Sequence, residues 1–136
     1  MDGQNLAYAL TQVGHNFGAV IVVAAPLYAL ATAKSAGARG VLWLALAGWA
    51  LQLASGGLFG LVSYHFYGQL PDIHGIAIGA LVLKLLCALT AVALLALALL
   101  RPQAATGGGG GAARWRVLAA LGATALAAAA FLRWFS

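Results

Sequence analysis

Residues 6–32 read LAYALTQVGHNFGAVIVVAAPLYALAT and contain no charged side chain. A helix needs about 20 apolar residues, at about 1.5 Å each, to cross the hydrocarbon core of a bilayer. The run is long enough to do so. It is too long and too polar for the core of a signal peptide, and it follows Asp2 rather than a basic region, so we expect a retained membrane helix.

Three further runs of the same kind follow, at residues 41–64, 74–100 and 113–135. Backbone polar groups cannot remain unpaired in lipid, so each run is predicted to be a helix. The sequence therefore predicts an all-α fold, a four-transmembrane-helix up-down bundle that forms one domain over residues 1–136. The connections fall at residues 33–40 and 65–73 and in a glycine-rich stretch, 101–112, that we expect to be flexible.

The composition supports a membrane location. Hydrophobic residues make up 64% of the chain and charged residues only 7%, and the mean hydropathy is +0.98. A small soluble domain could not bury this much apolar surface. We expect an integral protein of a bacterial inner membrane. The single cysteine, Cys87, excludes an intrachain disulfide framework.

The net charge of +5 comes from basic residues that lie mostly between the apolar runs. This placement indicates a role in membrane orientation, and we expect no nucleic-acid partner. One side of the predicted bundle carries Lys34, Arg39, Arg101, Arg114 and Arg116, whereas the other carries only Arg133. The positive-inside rule then places both termini and the second connection outside.

Small and aromatic residues give two weaker expectations. Glycine pairs spaced four apart, Gly56 with Gly60 and Gly75 with Gly79, predict close helix packing or a flat macrocycle lying against the backbone. The four tryptophans are expected mostly as anchors at the membrane interface; they are Trp43, Trp49, Trp115 and Trp134.

The first run is the only one with a polar stripe. The stripe covers a sector of roughly 120° on a helical wheel and comprises Asn5, Tyr8, Gln12, His15 and Asn16. A histidine inside an apolar span usually faces protein, water or a ligand. His15 is therefore the first candidate for a functional residue.

All three histidines, His15, His65 and His74, are predicted to lie toward the outer side of the bundle. Imidazole nitrogen is a ligand for haem iron, copper and zinc. We expect His15 to be an axial haem ligand or a metal ligand, with His74 or His65 opposite, although helix rise places His15 about 10 Å deeper than His65. The alternative is that His65 and His74 are ordinary interfacial loop residues.

Lys84 lies ten residues into the third run, about 15 Å below its outer end. At that depth the amine needs backbone carbonyls, a polar side chain, water or an anionic ligand. Gln52 and Gln12 are candidates for one internal network with His15 and Lys84. A haem propionate or a quinone oxygen would also suit Lys84, so Lys84 and Gln52 are candidate cofactor-binding residues.

Several classes of activity fit poorly. The polar residues do not provide a nucleophile, a base and an orienting acid. The glycine run at residues 107–111 lacks the lysine and the serine or threonine of a phosphate-binding loop. A small proton-coupled exporter would need a carboxylate in the membrane, and the four runs contain none. An electron-transfer or non-catalytic subunit fits better than a stand-alone enzyme.

Four short motifs resemble those of the CopD-like (copper-resistance D) membrane domains. They are His15-Asn16-Phe17-Gly18, Ser55-Gly56, Tyr67-Gly68 and Leu83-Lys84-Leu85. The resemblance covers about the first three helices and implies a helical bundle linked to copper handling, or to haem in related membrane cytochromes. Only His15 and Lys84 carry over by position. The chain departs from that family in having four helices and one methionine.

Three hypotheses follow. The first is a small membrane subunit that binds haem b near the outer face and passes electrons between a quinol pool and an external cytochrome. The second is a structural accessory subunit of a larger membrane complex. The third is a protein that transfers copper or another metal ion. The expected partners are the lipid bilayer, other membrane subunits or further copies of the chain.

Overall fold

The computed structural model describes residues 3–32, 39–101 and 110–135. These residues form four helices: α1 (Gly3–Ala31), α2 (Arg39–Tyr67), α3 (Ile76–Leu100) and α4 (Gly110–Trp134). Every regular element in the described ranges is helical, which confirms the predicted all-α class. The helix ends differ from the prediction by two or three residues, except that α1 and α4 end one residue early and α3 ends where predicted.

Each helix is long and apolar enough to cross a membrane. Only 28% to 33% of the residues in the most apolar window of each helix are buried inside the bundle. Large hydrophobic side chains therefore cover much of the outer surface, as Leu10, Leu61 and Leu86 illustrate. Such a surface is compatible with an integral membrane protein, whose exterior contacts lipid instead of water.

Each helix packs closely against two others: α1 and α3 each lie against both α2 and α4. The core between them holds large side chains that are almost fully enclosed, namely Val22, Trp49, Leu95, Trp115 and Leu118. Trp49 and Trp115 are thus core residues, and the expected anchoring role is wrong for them. Trp43 and Trp134 are exposed, as interfacial anchors would be.

Two glycines set the approach of α1 to α2. A Cβ atom on Gly48 would lie 2.5 Å from Ile21 Cγ2, and one on Gly18 would lie 3.2 Å from the carbonyl oxygen of Gly48. These contacts leave no room for a larger residue at Gly48 and little at Gly18.

The glycine pairs expected to support close packing do not do so within the chain. Cβ atoms on Gly56, Gly75 and Gly79 would meet nothing within 4 Å, and one on Gly60 would make only an ordinary contact with Leu70. The reason is rotational position. Gly56 follows the buried Ser55 and is turned about 100° away from it around α2, so it lies on the exposed face.

The connection between α2 and α3 spans residues 68–75 and is bounded by two glycines with positive φ, Gly68 at 68° and Gly75 at 56°. Glycine adopts this left-handed region without a steric penalty. The N–H of Gly68 donates to Tyr64 O at 2.9 Å and closes α2. Most of the expected flexible stretch, residues 102–109, lies outside the described residues, as do residues 33–38.

Candidate functional site

The candidate site lies where side chains from α1, α2 and α3 meet at one level of the bundle. His15 Nδ1 is 2.7 Å from Ser55 Oγ, and His15 Nε2 is 3.1 Å from Lys84 Nζ. α1 and α3 are not a closely packed pair of helices. The long side chain of Lys84 on α3 therefore extends across the bundle to reach His15 on α1. We call the group His15, Ser55, Lys84 and Gln52 the internal polar site.

The partners of Ser55 decide which imidazole nitrogen carries the proton. Ser55 Oγ lies 2.6 Å from Leu51 O and 3.3 Å from Gln52 O, and a carbonyl oxygen can only accept. The single hydroxyl proton is therefore donated to the backbone, so His15 Nδ1–H must donate to Ser55 Oγ. We assign His15 as a neutral imidazole whose Nε2 accepts from Lys84 Nζ.

Gln52 attaches the site to the backbone of α1. Its Nε2 donates to the carbonyl oxygen of His15 at 2.5 Å. Gln52 is only 5% exposed and Ser55 only 2%. A Cβ atom on Gly18 would lie 3.1 Å from Gln52 Nε2, so the small residue at position 18 leaves space for this amide.

Two aromatic rings lie beside His15, in the direction of the first residues of α1. The Phe59 ring meets the imidazole edge-on, with centroids 5.6 Å apart and an angle of 74°. Tyr8 stacks on Phe59 with centroids 6.3 Å apart. Farther along, Gln4 Nε2 donates to Tyr67 Oη, so the beginning of α1 lies beside the end of α2. The Phe59 ring gives the imidazole apolar contact on that side, and Tyr8 packs behind Phe59.

The structure brings together three of the five residues expected at the site: His15, Gln52 and Lys84. His65 and His74 are elsewhere. His65 is exposed and contacts the neighbouring Phe66 ring. It lies ten residues beyond Ser55 along α2, which corresponds to about 15 Å of helix rise.

His74 is three-quarters exposed at its side chain and bonds to Asp72, with 3.2 Å between Nδ1 and Oδ1. It precedes α3 by two residues and is ten residues from Lys84. Over the described residues, no three His, Cys, Asp or Glu side chains gather as a metal-binding group. The structure thus gives no support to a three-histidine metal site.

The polar stripe of α1 divides into two parts. Tyr8 and His15, at one edge of the stripe, are half-buried against α2. Asn5, Gln12 and Asn16 are exposed, and Gln12 Nε2 donates to Asn16 Oδ1 at 2.7 Å. No described hydrogen bond joins Gln12 to the internal polar site, because the stripe straddles the boundary between the buried and outer faces of the helix.

Ser55 and Phe59 are the partners that sequence reasoning missed. They follow Gln52 by three and seven residues, a spacing that places all three on one face of α2. That spacing was the available signal. Ser55 had been considered only as part of the CopD-like resemblance.

His15 meets one requirement of a haem or metal ligand and does not meet another. Ligating histidines usually donate the proton of the second ring nitrogen to a protein acceptor, as His15 Nδ1 does to Ser55. The nitrogen that would bind iron or copper, Nε2, already accepts from Lys84. The donor set fits one axial ligand, provided that Lys84 moves off that nitrogen.

An apolar groove lies at a different place. It lies between α3 and α4, has a volume of about 410 Å³, and is lined by apolar side chains that include Ile76, Leu83 and Phe131. None of the four residues of the internal polar site lines it.

Comparisons with protein-family models, with curated proteins and with solved structures found no match for this chain. The function must therefore be inferred from the geometry of the internal polar site.

Proposed function

We propose that this chain is a small integral membrane subunit that takes part in electron transfer, with His15 as the ligand of a b-type haem. The supporting observation is an imidazole in an apolar helix, fixed through Nδ1 by a buried serine and close to a lysine. The proposal includes the up-down-up-down threading, both termini outside, and a bacterial inner membrane. The CopD-like resemblance points to the same chemistry.

Each residue of the internal polar site has a role in this proposal. Ser55 holds His15 in one tautomer and one ring orientation, which leaves the electron pair on Nε2. Gln52 fixes the α1 backbone at His15. Lys84 would leave Nε2 if a haem were held there, and its ammonium would then be available to a propionate or a quinone oxygen. A bound haem would supply one-electron chemistry.

The rise of α2 and α3 separates His65 and His74 from His15 by several helical turns. We therefore propose that His15 is the ligand contributed by this chain, and that other subunits or a second copy complete the complex. A quinol and an external cytochrome are the proposed redox partners.

An absorption spectrum tests this proposal. The protein purified from haem-supplied cells should show a Soret band that His15→Ala removes. His65→Ala and His74→Ala are matched controls, since neither residue belongs to the internal polar site, and both should retain the band. A wild-type protein without the band, or a His15→Ala protein that keeps it, would contradict haem ligation by His15.

A structural accessory subunit is the second candidate, and one observation favours it. Both ring nitrogens of His15 already have partners from the chain itself, so the imidazole is fully hydrogen-bonded without a ligand. In that case His15→Ala should lower stability in a protein that contains neither haem nor metal. Elemental analysis of the same sample covers the metal-transfer alternative, which would require copper without haem.

A further inference from the structure

Two arginines meet where α3 ends and α4 begins. Arg101 directly follows α3, and Arg114 is the fifth residue of α4. Together with Leu94, Leu97 and Ala98 they line a cavity of about 170 Å³. The Nε and Nη2 atoms of Arg114 are buried and have no hydrogen-bond partner among the residues that the structure describes. A guanidinium with buried unpaired N–H groups is costly unless an acceptor joins it.

The chain is poorly equipped to supply that acceptor as a carboxylate side chain. It has only two acidic residues, Asp2 and Asp72. Asp72 bonds to His74 before the start of α3, and the 25 residues of α3 separate that position from Arg101 by about 37 Å. Asp2 lies outside the described residues, two positions before Gln4, which bonds to Tyr67 at the end of α2.

The side chains around the two arginines suit an anion that carries an apolar group. The guanidinium carbon of Arg114 lies 5.8 Å from the centroid of the Trp115 ring, a cation–π contact that helps to fix the side chain. A planar guanidinium matches the oxygens of a phosphate in a bidentate geometry. The leucines of the cavity continue from the charged groups along the apolar surface of α3.

We infer that Arg101 and Arg114 form a binding site for a phosphate group, carried by an anionic phospholipid or present as free phosphate. Basic pockets between helix ends are typical sites for lipid headgroups. The phosphate oxygens accept from the buried Nε and Nη2 of Arg114, and Arg101 contributes the second positive charge. This inference does not depend on the proposed electron-transfer function.

The test uses the full chain in a zwitterionic or uncharged detergent, titrated with dioctanoyl-phosphatidylglycerol, inorganic phosphate or uncharged dioctanoylglycerol. Binding is measured by calorimetry on wild type, Arg114→Gln, Arg101→Gln and Arg116→Gln. Arg116 is the matched control because it is exposed on the same helix, two residues away. Each of the two site variants should weaken binding of the phosphate compound at least tenfold, since a charged hydrogen bond contributes about 1.5 kcal/mol or more, whereas Arg116→Gln should change it less than twofold.

The three titrated compounds distinguish a lipid phosphate from free phosphate. Binding of phosphatidylglycerol alone supports a lipid site, and binding of both phosphate compounds with the same dependence on Arg114 supports a site for the phosphate group itself. Equal losses in Arg114→Gln and Arg116→Gln, equal binding of dioctanoylglycerol, or no binding by the wild type would each overturn the inference. Arg101→Gln keeps the test decisive if Arg114→Gln fails to fold, because it leaves Arg114 in place.

Discussion

Lys84 and Arg114 are both cationic side chains of the bundle, but they differ in their hydrogen-bond partners. Lys84 belongs to an apolar helix, and its Nζ has an acceptor from the chain, His15 Nε2 at 3.1 Å. Arg114 lies near a helix end, and two of its buried nitrogens have no hydrogen-bond partner within the described part of the chain. Lys84 thus has an acceptor within the chain, whereas we infer that Arg114 takes its acceptor from an anion outside the chain.

The two sites show two ways to accommodate a cation in a protein that has only two acidic residues. A neutral imidazole, held by a serine hydroxyl, can accept a hydrogen bond from a lysine where no carboxylate is present. A guanidinium has five donors in a fixed fork, which one neutral acceptor cannot satisfy.

Replacement of His15 by leucine should have the largest effect. It leaves the Lys84 ammonium without its acceptor inside the apolar helix, and an uncompensated buried charge costs about 3 kcal/mol or more. The free energy of unfolding, measured by denaturing-detergent titration, should fall by that amount. The double variant His15→Leu/Lys84→Met should recover much of the loss. If the double variant is no more stable than His15→Leu, Lys84 is not the residue that depends on His15.

Replacement of Gly18 by alanine should push α1 away from α2 and displace the side chain of Gln52. The new Cβ would lie 3.1 Å from Gln52 Nε2 and 3.2 Å from its backbone nitrogen, and overpacking of this kind costs about 1 to 3 kcal/mol. Gly56→Ala is the control, because that Cβ meets nothing within 4 Å and helix propensity favours alanine by about 1 kcal/mol. The two variants should therefore differ in sign, and equal stabilities would refute the close approach at Gly18.

Replacement of Ser55 by alanine should cost about 1 kcal/mol, because it removes one acceptor from His15 Nδ1–H. Ser63→Ala is a matched control, since Ser63 is also buried and donates to Gln69 O at 3.1 Å. Both variants should lose similar stability. Only Ser55→Ala should change the nitrogen NMR signals that report the tautomer of His15, and unchanged signals would contradict the assignment of Nδ1–H.

Replacement of Arg114 by leucine should have the smallest effect, provided that the detergent contains no phospholipid. The substitution removes two unpaired buried nitrogens, so the free energy of unfolding should change by less than about 0.5 kcal/mol or rise. Addition of phosphatidylglycerol should then stabilise wild type and leave Arg114→Leu unaffected. A large loss in the absence of lipid would mean that Arg114 is satisfied by the chain itself.

The sequence predicted the four helices well because membrane-length apolar runs leave few alternatives to a helix. It also placed His15, Gln52 and Lys84 within reach of one another, since counting helix rise from each end gave similar depths. It failed for residues whose contacts depend on their rotational position about the helix axis. Gly56 was expected at a close helix contact and lies on the exposed face of α2, whereas Gly18 and Gly48 form the contact between α1 and α2.

The spacing from Gln52 places Ser55 on the right face of α2 but does not identify it as the partner of His15, for the same reason. Serine is common in apolar helices, and only the packed position of α2 shows that Ser55 Oγ lies against Nδ1. Similarly, the charge count assigned Arg101 and Arg114 to membrane orientation. Their shared cavity depends on how α3 meets α4, which hydropathy does not specify.

The direction of the Ser55 hydroxyl limits how charge can move through the bundle. The line of bonds runs from Lys84 through His15 and Ser55 and terminates at Leu51 O, an amide oxygen of the helix backbone. An amide carbonyl has no proton to release. Protons that enter from the lysine side therefore cannot pass beyond Leu51 O along this line, so this line of bonds does not carry protons across the bundle.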